Sequence, residues 1–350
     1  LSSAYARYFI YLLIVAGLLI LGNQKYLFLD EEERRIVDVL PHDPPQIPTL
    51  YNAEFTGSGS TYLGDDSLVV GVHHEGVAKA YPVQILNRHE VVNDFLGREP
   101  IIVSFCPLTG SPLVFSREPG TTFGVSGKLY KNNLVLYDNA SDSLWSQIHM
   151  RCIKGESKGT DLEVLPSHLM QWGSWRTLFP DTQLMLPPDV FTLDEYRTDS
   201  YEEYRASPNA GVFPLDNQDF SLENKEYVLG VNLDGTSKAY RVTDLSTIRV
   251  LMDEVGETSV VVTCAYGSAQ AFEAGGHTFK ANSSLTMLSE DGGHWNMATG
   301  QRLDSEESLR PLRYLQVYWF AWYDFYPGTL LLVSGDNFFH SDKPSRLSER

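Results

Sequence analysis

The sequence predicts a β-rich α+β fold, built as two tandem related halves behind a single N-terminal transmembrane helix. Three observations carry that expectation: an uncharged apolar stretch near the start, a long-range internal repeat, and short apolar or alternating runs separated by Gly, Pro and Asn turn signals.

The first element lies between Arg7 and Lys25, where YFIYLLIVAGLLILGNQ carries no charge. As a helix it spans about 25 Å at about 1.5 Å per residue, slightly short of a hydrocarbon core of about 30 Å. Arg7 and Lys25 can snorkel to close that gap. Tyr8, Phe9, Leu12, Leu13, Val15, Leu18 and Leu19 form the body of the expected anchor, and Tyr5, Tyr8, Tyr26 and Phe28 stand where interfacial aromatics belong. The rival readings are a buried core helix and a cleaved signal peptide, and no A-x-A-like cleavage site follows Leu21. Arg7 precedes the span, while Lys25 and the acidic run Asp30–Glu33 follow it. That one-residue positive bias puts the N-terminus in the cytoplasm and the bulk of the chain in the periplasm, as a single-pass protein of the inner membrane. Residues 1–29 are thus the anchor, and 30–48, charged and then Pro-rich (PHDPPQIP), an extended linker.

An internal repeat organises the rest. VVGVHHEGVAKAYPVQIL from Val69 returns as VLGVNLDGTSKAYRVTDL from Val228, so that Gly71 matches Gly230, Lys79-Ala80-Tyr81 matches Lys238-Ala239-Tyr240, and Asp94 matches Asp253. After a one-residue deletion Cys106 falls on Cys264 and Gly110 on Gly267, followed by Phe123 on Phe279 and Trp145 on Trp295. WGSWRTLFPDT then aligns with WFAWYDFYPGT, placing Trp172 and Trp175 on Trp319 and Trp322. Residues 49–190 and 227–335 are the two halves, 191–226 (with DEYRTDSYEEYRASP) a polar connector, and 336–350 a polar tail.

Within a half the elements follow in order. Val69–Val72 and Ala78–Tyr81 flank Glu75-Gly76 as a hairpin. Pro82 suits the first position of a helix, and VQILNRHEVV carries apolar residues at helical spacing up to Asn93-Asp94 and Gly97. Ile101–Phe105 reads as a buried strand, Cys106-Pro-Leu-Thr-Gly-Ser as a turn, and Leu113–Phe115 and Leu134–Tyr137 as further strands. In WGSW and WFAW the Trp pairs, three apart, fall on one helical face and pack inward.

Apolar residues make up 43% of the 350 and charged residues 21%, a globular balance that disfavours wholesale disorder and a multi-span transporter. The net charge of −18 repels phosphate backbones, and no local basic patch offsets it. Nucleic acid is therefore excluded as a partner, and a basic soluble protein suits the surface better. Cys106, Cys152 and Cys264 are too few for a disulfide scaffold and lack the spacing of a zinc ribbon. One pairing, Cys106 with Cys264 included, stays open.

The motifs GVHHEGVAKAYP, LNRHEVVND, CPLTG, FGVSGKLY, YDNASDSLWSQ and WGSWRTLFPDT resemble the hallmarks of a prokaryotic family known as domain-of-unknown-function family 3179, over about residues 48–333. The resemblance implies no established activity. This chain departs from it at one place: the family's second cysteine of C-P-L-C is Thr109 here, so the CxxC of a dithiol couple or soft-metal site is absent.

His89, Glu90 and Cys106, with Asn93 and Asp94, form the densest set of reactive types. They are the candidate catalytic residues: His89 and Cys106 as a thiolate–imidazolium pair or as ligands of copper or zinc, with Glu90 or Asp94 supporting them. The plainer alternative is that HEVVND caps a helix end while Cys106 acts as a small buried hydrophobe. Asp94 and Cys106 recur in the second half, whereas His89 becomes Ile248, so the recurring residues are expected to be structural. His73-His74 before the Gly76 turn reads as an exposed loop pair. No glycine pattern marks a nucleotide site, and Ser126 in FGVSG lacks the first Gly of a nucleophile elbow. No cofactor is predicted, and a metal at His89 and Cys106 is the one candidate.

Three functions follow as expectations. The first is a membrane-anchored extracytoplasmic accessory subunit, binding an integral-membrane complex of photosynthetic or respiratory electron transfer through its N-terminal helix. The second is a metal-binding or thiol-dependent enzyme using the first half. The third is a ligand-binding module with a cleft between the halves.

Overall fold

The structure, a computed structural model, describes residues 30–40 and 47–332. The expected anchor, Tyr8 to Leu19 included, and the tail 336–350 lie outside the described residues. Among those described, no helix is long and apolar enough to cross a membrane.

The fold is β-rich α+β, with several sheets. The chain opens with α1 (Glu31–Arg34) and β1 (Ile36–Asp38). Next come β2 (Leu50–Tyr51), β3 (Phe55–Gly57), β4 (Leu68–His74), β5 (Val77–Pro82), α2 (Val83–His89), β6 (Val91–Leu96), β7 (Glu99–Cys106) and β8 (Ser111–Ser116). The first half continues through β9 (Phe123–Tyr130), β10 (Asn133–Asp138), β11 (Leu144–Ser146), β12 (Arg151–Lys154), β13 (Val164–Leu165), β14 (Ser167–Gln171), α3 (Trp172–Leu178) and β15 (Gln183–Met185). The connector holds α4 (Leu193–Arg197) and α5 (Glu202–Ala206). The second half starts with β16 (Tyr227–Leu233), β17 (Thr236–Arg241), α6 (Val242–Ile248), β18 (Val250–Val255), β19 (Thr258–Ala265) and β20 (Ser268–Glu273). It ends with β21 (Phe279–Ala281), β22 (Thr286–Ser289), β23 (His294–Asn296), β24 (Tyr314–Tyr318), α7 (Trp319–Phe325) and β25 (Leu330–Leu332).

Three sheets of the first half have counterparts in the second. The order β14-β4-β5-β15 is matched by β24-β16-β17-β25, and in each the last pairing, β5 with β15 and β17 with β25, is the parallel one. The antiparallel set β6-β7-β8 is matched by β18-β19-β20, and β9-β10-β11 by β21-β22-β23.

Matching side chains make matching contacts. Tyr81 and Lys79 both reach Asp94, at 2.7 and 2.8 Å, as Tyr240 and Lys238 reach Asp253 at 2.8 and 2.9 Å. Each is a buried or half-buried charge fixed by a cation and a hydroxyl, which removes the cost of an unpaired carboxylate. The Trp175 indole N–H donates to Thr182 at 2.8 Å and that of Trp322 to Thr329 at 2.9 Å. The rings of Phe123 and Trp145 meet edge to face at 5.5 Å, as do those of Phe279 and Trp295. Both Trp pairs of WGSW and WFAW are buried on α3 and α7, as their spacing predicts.

The halves share a core. One apolar cluster joins Ile102, Leu113, Leu134 and Trp145 of the first half to Leu315, Val317, Trp319 and Phe325 of the second. A hydrogen bond of 3.0 Å from the Tyr318 N–H to the Thr109 carbonyl crosses the junction.

Three segments differ from the sequence reading. Residues 30–40, expected as extended linker, fold onto the first half: β1 pairs antiparallel with β9, and Lys158 binds Asp30 and Glu33, Arg151 binds Glu32, and Arg35 binds Asp216. The charges taken as signs of a solvated linker are consumed by these pairs. The helix expected to run through HEVV up to Asn93-Asp94 stops at His89, because Glu90 has a left-handed backbone (φ 56) and the β-branched Val91 and Val92 pair with Ser104 and Val103 in a strand. His73 and His74 are not in a loop; they end β4, and His73 stacks on Phe179 at 4.7 Å.

Candidate functional site

The three sequence candidates lie close together, at the C-terminal end of α2 and the end of β7. His89 is the last residue of α2 and is fully buried. Its Nδ1 lies 2.6 Å from the Pro48 carbonyl and its Nε2 2.7 Å from the Tyr196 hydroxyl. A carbonyl can only accept, so Nδ1 carries the proton and Nε2 accepts from Tyr196. Burial, opposed by the Pro48 bond, holds the imidazole pKa below its usual value, which keeps this neutral tautomer. With both nitrogens taken, His89 has no lone pair left for a metal and none to activate a thiol.

The partner explains why only the first half has this histidine. Tyr196 belongs to α4 of the connector, and the Arg88 Nε donates to the Glu195 carbonyl of the same helix at 2.9 Å. Phe191 packs on the His89 ring at 5.6 Å. His89 and Arg88 thus fasten the connector to α2, a duty that Ile248 does not have.

Glu90 follows directly. Its left-handed backbone, with the N–H bonded to Leu86 at 2.7 Å and the carbonyl to Phe105 at 2.8 Å, is repeated at Arg249 (φ 67), bonded to Leu245 and Cys264 at 2.7 and 2.9 Å. The local backbone is therefore common to both halves, and the buried carboxyl belongs only to the first. The strand register sets Cys264 on Phe105 and Ala265 on Cys106, not Cys264 on Cys106 as the sequence alignment has it. Burial raises its pKa to about 8, so that it is protonated at neutral pH.

Cys106 is 1% exposed. Burial first, and the Glu90 carboxyl second, push its thiol up to about 11, against a hydrogen bond from Thr109. A thiol held so far above neutral pH is a poor nucleophile and a poor metal ligand. Tyr201 and Tyr204 of the connector lie near it, each phenol raised by burial and by Cys106, and the Tyr204 hydroxyl donates to the Leu108 carbonyl at 2.7 Å. Cys106, Cys152 and Cys264 are all buried free thiols, so Cys106 and Cys264 are not paired.

Thr109, in place of a second thiol, belongs to a polar network that the sequence did not reveal. Its hydroxyl lies 2.8 Å from that of Ser111 and accepts from the Asn133 amide at 3.0 Å. Asn133 also donates to Gln147 at 2.8 Å, and Gln147 donates to Ser104 at 2.9 Å. Ser104, Thr109, Ser111, Asn133 and Gln147 are all fully buried, and a closed network of this kind rigidifies the turn that carries Cys106. Gly110 has φ 63, and a Cβ there would lie 2.8 Å from the Tyr227 hydroxyl and the Tyr318 ring of the other half. The CPLTG turn is thus a joint between halves. Among the described residues no group of three or more His, Cys, Asp or Glu is placed to hold a metal ion.

A second polar cluster, which sequence reasoning missed, lines a cavity of about 430 Å³ where α1, β12, β16 and α7 meet. Arg151 donates to Glu32 at 2.8 Å, and Arg313 contacts Asp161 and the Met150 carbonyl at 3.3 Å each. His149, on its wall, is kept neutral by burial, with a pKa lowered to about 3. They come from three stretches of chain far apart in sequence, around Glu32, residues 149–161 and Arg313, and carry no motif, so only folding brings them together.

No curated protein and no solved structure matches the chain. The family model described as "Protein of unknown function (DUF3179)" matches residues 44–329, which takes in the first half, the connector, all but the end of the second half and every residue of the His89–Cys106 region, and the chain belongs to that family.

Proposed function

We propose that the protein is a membrane-tethered, extracytoplasmic accessory subunit that steadies a larger integral-membrane assembly, of the photosynthetic or respiratory electron-transfer kind. The observation that carries this reading is the clamp on residues 30–40. Directly after the apolar stretch, Asp30, Glu32, Glu33 and Arg35 are each paired to the body, and β1 extends the β9–β12 sheet. A body fastened this way follows its tether with a set orientation, which suits a subunit docked on a fixed partner better than a freely swinging enzyme. The commitment of His89 and Cys106 to internal partners points the same way. The acidic surface suits a basic soluble protein as a second partner. We infer as well that the two halves are copies of one unit; the matched sheets and the Asp94 and Asp253 clamps support this.

Extraction of the membrane in mild detergent tests the main reading. The protein is expected to migrate with a complex much larger than itself, and a variant lacking residues 1–29 to leave the membrane fraction as a folded soluble body. Migration of the intact chain at monomer size would sink the proposal. Protease added to intact spheroplasts should cut the body, and full protection would reverse the assigned orientation.

A further inference from the structure

The cavity between the halves lies opposite the His89 region in chemistry: its polar groups are loosely held rather than locked. Arg313 touches Asp161 and the Met150 carbonyl only at 3.3 Å, the outer limit of a useful hydrogen bond. Its side chain is 42% exposed and that of Asp161 61%, so this pair is worth less than about 1 kcal/mol. Arg151 spends one terminal nitrogen on Glu32, and its Nε has no partner. Both guanidinium groups act on the phenol of Tyr326, pulling its pKa down against the rise caused by burial. Both line the same cavity as Tyr326 and Asn232, which share a hydrogen bond. The apolar part of the wall is Met150 and Trp322, both nearly buried, with the Tyr326 ring packed on Trp322 at 4.3 Å, and His149, Gly230 and Asn232 complete the lining.

The matching place in the first half is plugged. There Phe179 stands for Tyr326 and packs on Trp175 at 4.3 Å, and His73, which stands for Asn232, lays its imidazole over Phe179. The second half has the same Trp-aromatic platform without the plug, and first-half residues Arg151 and Met150 close it on one side.

We propose that this cavity is a binding site for a small organic carboxylate with a flat apolar body, its carboxylate held by Arg313 and Arg151 and its body laid against Met150, Trp322 and Tyr326. The size falls within the range of small-molecule sites, about 300–1,000 Å³. A planar carboxylate matches the fork of a guanidinium and forms two bonds to it, which displaces the exposed Asp161 from Arg313. Glu32 stays with the terminal nitrogen of Arg151 that it already holds. His149 adds no charge, being neutral, and Lys131 beyond it is already paired with Asp216 and Asp324, so the two arginines supply the positive charge. The site shares the Arg151–Glu32 pair with the tethering strap, so Arg313→Gln and the acid–amide comparison, which leave the strap intact, separate a failure here from a failure of the tethering role.

The probes are indole-3-propionate, its neutral primary amide, and tryptamine, followed by saturation-transfer NMR and calorimetry on the full chain. The acid is expected to bind saturably, with the amide and tryptamine at least about tenfold weaker, the loss of one charge-assisted interaction. Arg313→Gln and Arg151→Gln should each weaken the acid by about the same factor, and Tyr326→Phe by less. Arg302→Gln, which alters an ion-paired arginine elsewhere in the second half, should change nothing. Far-UV circular dichroism and the thermal midpoint confirm that each variant is folded, and should Arg313→Gln fail that check, Arg151→Gln and the acid–amide comparison carry the test. No saturable binding of the acid at millimolar concentration overturns the inference, as does amide binding equal to the acid or indifference of the folded Arg variants.

Discussion

At the scale of single residues, His89 is a fastener. His89→Ala removes both its hydrogen bonds and leaves the Pro48 carbonyl and the Tyr196 hydroxyl to find others. The expected cost is about 2–4 kcal/mol, from one cavity and two lost partners, read as a lower urea midpoint. Elemental analysis of wild type and variant should give the same metal content; a metal present in the first and lost in the second would restore the ligand reading. Glu90 makes a pH prediction. Its folded pKa of about 8 lies above the ordinary 4.5, so between those values the folded state holds a proton that the unfolded chain releases. The stabilisation is complete below about pH 4.5 and is lost as pH rises through about 8, at no more than about 1.4 kcal/mol per pH unit. Glu90→Gln keeps the shape without the titration and should unfold with a flatter pH profile over that window. Equal slopes in both proteins would show that the carboxyl is not buried as described.

Elements carry the next level. Gly71 on β4 and Gly230 on β16 face Trp175 and Trp322, and a Cβ at either would lie 2.3 or 2.2 Å from the indole. Ala at each position overpacks the same joint between strand and helix and should cost about 3 kcal/mol or more. If the halves are copies of one unit the two losses will be similar, and a neutral Gly230→Ala beside a severe Gly71→Ala would argue that the joints differ. The α1–β1 strap makes a different prediction, because its pairs are partly exposed and each worth less than about 1 kcal/mol. In hydrogen exchange, amides of residues 36–38 should lose protection at high salt while those of β7 and β19 keep theirs. Lys158→Ala, which removes partners of both Asp30 and Glu33, should do the same at low salt.

For the molecule as a whole, the shared core predicts cooperativity. Because one cluster contains Ile102, Leu134 and Trp145 along with Leu315, Trp319 and Phe325, neither half closes its apolar surface alone. Calorimetry should record one unfolding transition, and two resolved transitions would mean the halves are separate domains. Much of this architecture was legible beforehand. The hairpin at Glu75-Gly76, the buried run before Cys106 and the Trp pairs of α3 and α7 follow from periodicity and turn chemistry, which act over a few residues and leave a local trace. The fate of His89 did not, since its partner Tyr196 lies in a connector without periodic pattern; nor did the strap, whose charges look alike whether solvated or paired. The cavity between Arg151 and Arg313 is the extreme case. By itself the sequence determined the β-rich class, the run of hairpin, helix, buried strand and Trp-bearing helix within a half, and which residue types lay near Cys106. Only the tertiary structure decided which polar atoms are spent and which remain open, because a hydrogen bond or ion pair depends on ångström distances between segments that the chain brings together only when its apolar faces are buried.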